Sequence, residues 1–162
     1  MTDFETKNAK FIILIFKLCS SSFICGLIAL YSSSPSSGEE RSKMIIASTI
    51  FVLLVAILHL GFLALEMFLW TKPFGRRTFN LTSEFAQASK TLAANQGLYN
   101  GFLAAGLVWS LFLGANGYEV KIFFLVCVIV AGVFGAFTVS RRILWIQAMP
   151  AMIALAFMLL TK

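Results

Sequence analysis

Two ionisable side chains, His59 and Glu66, lie inside an apolar stretch that is long enough to cross a membrane. His59 is the single histidine of the sequence, and Glu66 is the one acidic residue outside the polar connections and termini. An ionisable group in the hydrocarbon layer costs roughly 2.5 kcal/mol or more, so it usually marks a functional site. Imidazole and carboxyl groups exchange protons, which suits ligand binding, proton coupling or acid–base catalysis.

The spacing of these residues limits what they can do together. Glu66 follows His59 by seven residues and Trp70 follows it by eleven. On a continuous helix, these spacings would place all three side chains within about 20° of one face. Seven residues also separate two side chains by roughly 10.5 Å along the helix axis. We therefore expect His59 deep in the membrane and Glu66 near its surface, with no hydrogen bond between them.

A second polar cluster follows later in the chain, with side chains that repeat four residues apart. Asn95 and Tyr99 form one such pair, and Gln96 and Asn100 form the other. Residues four apart are neighbours on a helix surface. Amides in hydrocarbon need hydrogen-bond partners, which directs this face toward other helices or a cavity.

Three spans present a polar side chain about one turn inside the expected cytoplasmic boundary. These side chains are Glu66, Asn100 and Gln147. Their common level predicts a pocket open to the cytoplasm or the cytoplasmic leaflet. An alternative is that these groups only bond to headgroups or to backbone near the interface. The full set of predicted ligand-binding residues is His59, Glu66, Trp70, Asn95, Gln96, Tyr99, Asn100 and Gln147.

The elements that must position these residues are membrane helices. The chain is 59% hydrophobic and 12% charged, with a mean hydropathy of +0.89, and its charge is about half that of an average soluble domain. Five apolar spans predict an all-α integral membrane helical bundle with four core transmembrane helices plus an N-terminal fifth. Their approximate ranges are 11–31, 45–70, 97–115, 120–139 and 143–160.

Two parts of the chain are expected. Residues 1–43 would form the N-terminal transmembrane helix and a polar linker, and residues 44–162 a four-helix membrane domain. The first helix resembles a signal peptide in part, so it is either retained or cleaved. Residues 83–94, with Ser83 as a candidate cap, are expected as an interfacial amphipathic helix, an extension of the third span or a simple connector.

The thirteen Lys and Arg residues are distributed unequally over the two sides of the predicted bundle. Nine fall at the amino terminus, in the connection at residues 71–96 and at Arg141 and Arg142, against four on the other side. Because positive loops stay inside, this bias predicts a multi-pass protein of the cell (cytoplasmic or inner) membrane. Its amino terminus would be cytoplasmic and its carboxyl terminus outside.

Several function classes lack any signature in the sequence. There is no HExxH, no CxxC and no glycine-rich phosphate loop, and one His with one Glu is too few for a metal site. We expect no catalytic residue, metal or cofactor, and no basic stripe indicates nucleic-acid binding. Five spans are few for a transporter, so in that case we expect a homodimer through Gly97 and Gly101 or through Gly132 and Gly135.

Several of these residues lie in runs that resemble a known family. The runs are the His59, Glu66 and Trp70 pattern, PFGR at 73–76, ANQGLYNG at 94–101, and the segments 130–138 and 147–151. Over about residues 44–160 the chain is similar to the DUF1304 family of small, mostly bacterial membrane proteins. The resemblance implies four core spans and no established activity. The first span departs from the family pattern.

The leading functional hypothesis is binding or transport of a small organic or amphiphilic molecule in a cytoplasm-facing intramembrane pocket. Glu66 and His59 would couple that movement to protons. One alternative is a membrane enzyme that uses His/Glu acid–base chemistry on a lipid-like substrate. Another is a non-catalytic accessory or assembly subunit. The expected partners are the lipid bilayer and a small-molecule or lipid-like ligand.

Overall fold

The computed structural model describes residues 37–161, which form helices joined by short turns, with no strand in that range. The all-α prediction is confirmed for these residues. The predicted first span, at about residues 11–31, lies outside them. The expected boundary between residues 43 and 44 falls inside a continuous helix, Gly38–Met67, and the two-part division stays a prediction.

The first described helix, α1, is Gly38–Met67 and carries both His59 and Glu66. Ser37 begins it, because its Oγ accepts a hydrogen bond from the Glu40 backbone N–H at 3.3 Å. Two acidic residues in the first turn complement the helix dipole. Most of the remaining sequence is apolar, so the helix continues until the turn that precedes Pro73.

A short helix, α2 (Pro73–Phe79), connects α1 to the long helix α3 (Ser83–Phe112). Pro73 suits the first turn of α2, where its missing N–H costs nothing. Asn80 ends α2 in the left-handed conformation, with φ 52°, which asparagine tolerates better than most residues. Thr82 caps α3 by accepting a hydrogen bond from the Phe85 N–H at 3.2 Å.

The polar stretch at residues 83–94 is therefore the first part of α3. Of the three structures expected for it, the extension of the third span is the one observed. The predicted cap, Ser83, is wrong by one residue, because the side chain of Thr82 reaches the free N–H groups of the first turn. The helix α2 did not figure in the sequence prediction.

Beyond α3, the 3₁₀ turn Gly114–Gly117 leads into α4, Tyr118–Thr138. The last helix begins with one wide π-helical segment, Leu144–Ala148, and continues as α5, Met149–Leu160. Pro150 gives the physical reason for the wide segment. Proline has no N–H and its ring displaces the carbonyl four residues earlier, so the preceding turn loosens.

Two helical segments are long and apolar enough to cross a membrane: Gly38–Met67 and Gly114–Thr138, with mean hydropathies of 2.5 and 2.6. Leu144–Leu160 is apolar but shorter, and α3 does not reach the same apolarity. The count of four core helices plus a fifth is therefore not confirmed. Only 28% and 17% of the two apolar windows are buried, whereas a soluble core helix would be mostly buried. This exposure favours contact with lipid.

The described chain divides into two compact units. The first contains the residues up to Val52 and those from Leu125 onward, and the second is Leu53–Phe124. In the first unit, the rings of Phe51 and Phe157 lie 6.1 Å apart. These rings pack the first half of α1 against α5.

Small residues bring the helices of the first unit close together. A Cβ added at Gly132 would lie 2.9 Å from the Cβ of Ala148. A Cβ at Gly135 would lie 3.0 Å from the Cγ2 of Ile143. This stripe of α4 therefore packs within the chain.

Candidate functional site

A hydrogen bond between two helices of the second unit defines the candidate site. The Asn100 Nδ2 donates to the Glu66 Oε2 at 2.7 Å. Asn100 is buried, with 5% of its surface exposed, and Glu66 is partly exposed. One carboxyl oxygen is thus held by α3, while the rest of the group remains accessible to a ligand or a proton.

Two glycines of α3 allow this close approach. A Cβ at Gly97 would lie 2.7 Å from the Met67 Cγ and 3.2 Å from the Glu66 Cβ. A Cβ at Gly101 would lie 2.6 Å from the Leu63 Cδ1. A larger residue at Gly97 would push against the α1 backbone and lengthen the bond to Asn100, whereas at Gly101 the flexible end of Leu63 can move aside.

Trp70 lies in the turn after α1 and ties three elements together. Its indole Nε1–H donates to the Ser89 Oγ of α3 at 3.0 Å. Its ring centroid lies 4.9 Å from that of Phe79 in α2. The expectation that Trp70 shares a helix face with His59 is wrong, because α1 ends at Met67 and helical periodicity stops there.

An open groove of about 320 Å³ lies beside Glu66. Its volume is at the lower end of the about 300–1,000 Å³ typical of small-molecule pockets. The end of α1 and the following turn provide one side, and α3 provides the other. The lining residues are Glu66, Met67, Phe68, Trp70, Thr71, Lys90, Thr91 and Ala94.

His59 is fully buried on α1 and does not line this groove. Its Nδ1–H donates to the Val55 carbonyl at 2.8 Å, which leaves Nε2 as the free ring nitrogen. Within residues 37–161 this buried Nε2 has no hydrogen-bond partner. The ring of Phe62 packs against the imidazole edge-on, with centroids 5.7 Å apart.

The structure brings together only part of the predicted ligand-binding set. Glu66 is hydrogen-bonded to Asn100 and shares the groove with Trp70. Asn95, Gln96 and Tyr99 are exposed on α3, outside the groove. Gln147 is half-buried in the π-helical segment and belongs to the other unit, so its membership in the site stays a prediction.

Sequence reasoning missed three polar residues that line the groove: Thr71, Lys90 and Thr91. A signal for Lys90 was present. Counting back from Gly97 by seven residues reaches Lys90, so the two share the α3 face that packs on α1. In the sequence prediction, Lys90 counts only among the positive charges of residues 71–96.

The predicted homodimer would use glycine pairs that serve packing inside the chain. In the second unit, α1 packs against Gly97 and Gly101. In the first unit, the last helical segment packs against Gly132 and Gly135. Homodimerisation stays a prediction, with no surface assigned to it.

The donor groups of the site limit its chemistry. In the described part of the chain, no group of three or more His, Cys, Asp or Glu side chains could hold a metal ion. The groove instead offers a carboxyl, an ammonium, hydroxyls and an indole ring. Such a set can orient a molecule with a polar end and an apolar end, and the carboxyl can exchange a proton.

Comparison with known proteins agrees with the sequence resemblance. Residues 53–159 match the model of a family described as "Protein of unknown function (DUF1304)". The uncharacterized protein YpaA of Lactococcus lactis subsp. lactis (strain IL1403) is 32% identical over 114 residues. This match covers 69% of the present chain and 96% of that protein. No solved structure matches the chain.

Proposed function

Because this chain belongs to the DUF1304 family, for which no activity is described, we propose a function from the groove itself. The proposed function is binding or transport of a small organic or amphiphilic molecule in the membrane, on the cytoplasmic side. The observation that carries it is the Glu66 carboxyl, fixed by Asn100 at 2.7 Å and open to the groove.

The two sides of the groove suit the two ends of an amphiphile. Met67, Phe68 and Trp70 provide apolar surface, and Glu66 and Lys90 provide an acceptor and a cation. Opposite charges at one groove favour a polar end that carries both donors and acceptors. The groove is also close to the end of α1, where a ligand dissolved in the lipid headgroup region could enter it.

Proton coupling is the second part of the proposal. Glu66 and His59 lie on the same helix, two turns apart, and both groups can gain or lose a proton. The buried Nε2 of His59, which has no hydrogen-bond partner among residues 37–161, supports a role as a proton acceptor deeper in the protein. Because His59 does not line the groove, transport or binding is better supported than acid–base catalysis on a groove-bound substrate.

A fluorescence experiment tests the binding. Trp109→Phe and Trp145→Phe leave Trp70, at the groove, as the sole tryptophan. A brominated zwitterionic amphiphile is then titrated into the protein in nanodiscs. We expect saturable quenching of Trp70 that Glu66→Gln and Lys90→Gln weaken about tenfold, because each removes a charge-assisted hydrogen bond.

The matched control is Glu84→Gln, since Glu84 is an exposed acid on α3 outside the groove. It should leave the quenching curve unchanged. Identical curves for the parent chain and Glu66→Gln would refute binding at this groove. Proteoliposomes containing a pH-sensitive dye then test coupling, with His59→Ala and Glu66→Gln expected to abolish amphiphile-dependent proton flux.

A further inference from the structure

A second groove, of about 290 Å³, lies at the short helix α2 and is lined by Pro73, Arg76, Arg77, Asn80 and Leu81. It shares no residue with the groove at Glu66. We propose that this groove binds the phosphate group of an anionic lipid headgroup. The proposal is independent of the small-molecule function.

The two arginines supply the recognition. Arg76 is half-buried, and its buried Nε has no hydrogen-bond partner among residues 37–161. Over the same residues, neither Arg76 nor Arg77 forms an ion pair with a carboxylate. A guanidinium presents a planar fork of N–H donors that matches two phosphate oxygens. The buried Nε of Arg76 faces the protein, whereas the exposed Arg77 side chain and the exposed part of Arg76 line the groove and can meet an external anion.

The stretch of chain that contains the groove is positively charged, and the next acid in the sequence is Glu84, three residues after Leu81. Between Met67 and Glu84 the sequence contains three cations, Lys72, Arg76 and Arg77, and no acid. Free carbonyls at the end of α2 would repel an anion. The Arg76 carbonyl accepts from the Leu81 N–H at 2.8 Å, and the Arg77 carbonyl from the Asn80 N–H at 3.4 Å. Capping therefore weakens that repulsion.

The position of α2 along the chain favours a lipid over a free phosphate ion. α2 begins at Pro73, a few residues after the membrane-length helix α1 ends at Met67. Phe74 on α2 is 65% exposed, and an exposed aromatic beside arginines is typical of a segment at the headgroup level.

The groove is held in place before any ligand binds. Gly75 lies against the backbone carbonyl of Leu69, so closely that a Cβ at this position would clash with it. On the next turn, the Phe79 ring packs on Trp70, which is hydrogen-bonded to α3. α2 is thus held at Gly75 and at its last residue, Phe79, so its backbone needs little reordering when a ligand binds.

Native mass spectrometry tests the proposal on the full chain. The delipidated protein in neutral detergent is titrated with phosphatidylglycerol, with a galactosyl diacylglycerol that lacks phosphate, and with inorganic phosphate. We expect phosphatidylglycerol to bind and the double variant Arg76→Gln, Arg77→Gln to weaken it about tenfold or more. The galactolipid should bind equally weakly to both proteins.

The chain offers a matched control in its other adjacent arginine pair. Arg141 and Arg142 are exposed in the turn after α4, and Arg141→Gln, Arg142→Gln removes the same charge. This variant should bind phosphatidylglycerol like the parent chain. Equal weakening by both double variants would show that net charge alone matters and would overturn the site. Unchanged binding in the Arg76, Arg77 variant, or full displacement of the lipid by millimolar inorganic phosphate, would overturn it as well.

Discussion

At the residue scale, the bond between Asn100 and Glu66 is the contact on which the candidate site depends. Hydrogen bonds between membrane helices average about 0.6 kcal/mol and reach about 1.7 kcal/mol. We therefore expect a coupling free energy in this range in a double-mutant cycle of Glu66→Ala and Asn100→Ala. Equilibrium unfolding in mixed micelles measures it.

Asn95 provides the control for that cycle, because it is an exposed amide on the same helix. Asn95→Ala should change the free energy of unfolding by less than about 0.5 kcal/mol. Its coupling to Glu66→Ala should be near zero. A coupling as large as that of Asn100 would contradict the specific pair seen in the structure.

His59 should behave as a residue kept for function at the expense of stability. A buried polar atom without a partner costs about 1–3 kcal/mol, and the Nε2 of His59 is such an atom within the described residues. We therefore expect His59→Leu to leave the free energy of unfolding unchanged or to raise it. Leu107→Ala, at another fully buried position, should lower it by about 2–5 kcal/mol. A comparable loss in His59→Leu would contradict this reading.

At the scale of helices, replacement by alanine should change the free energy of unfolding in opposite directions at two glycines. A Cβ at Gly97 would contact the Met67 backbone N at 3.1 Å, so α1 and α3 must separate, at a cost of about 1–3 kcal/mol. A Cβ at Gly61 on α1 would meet no atom of residues 37–161 within 4 Å. Gly61→Ala should therefore stabilise the helix by up to about 1 kcal/mol. Equilibrium unfolding in mixed micelles measures both free energies. A change in the same direction for Gly97→Ala and Gly61→Ala would contradict the packing of α1 on α3.

The same helices show how much of the site the sequence could predict. Periodicity related His59 to Glu66, because both lie on one uninterrupted helix. It failed for Trp70, which follows the end of that helix. The seven residues of α2 are too few for a periodic signal. Gly97 and Gly101 indicated a packing face on α3, but the sequence does not show which helix packs against it. Because Lys90 lies on the same face, its place in the groove could not be predicted without that helix.

At the scale of the whole molecule, α3 decides the topology. It is 30 residues long, but its amide side chains make it less apolar than the two helical segments that could cross a membrane. Packing of its polar face against α1, as in the Asn100–Glu66 bond, would compensate for these amides. If α3 crosses, the turns on its two sides lie on opposite faces of the membrane.

Cysteine accessibility tests this crossing. The three native cysteines are replaced by alanine. One position at a time is then changed: the exposed Thr78→Cys before α3, the exposed Asn116→Cys after α3, and the half-buried Ser140→Cys after α4. The positive-inside bias predicts that a membrane-impermeant maleimide labels only Asn116→Cys in intact cells. The other two should react only after permeabilisation. Because α4 is apolar enough to cross, the contrast between Asn116→Cys and Ser140→Cys serves as the internal control. Equal labelling of Thr78→Cys and Asn116→Cys would mean that α3 does not cross, and the groove at Glu66 would then lie at the membrane surface.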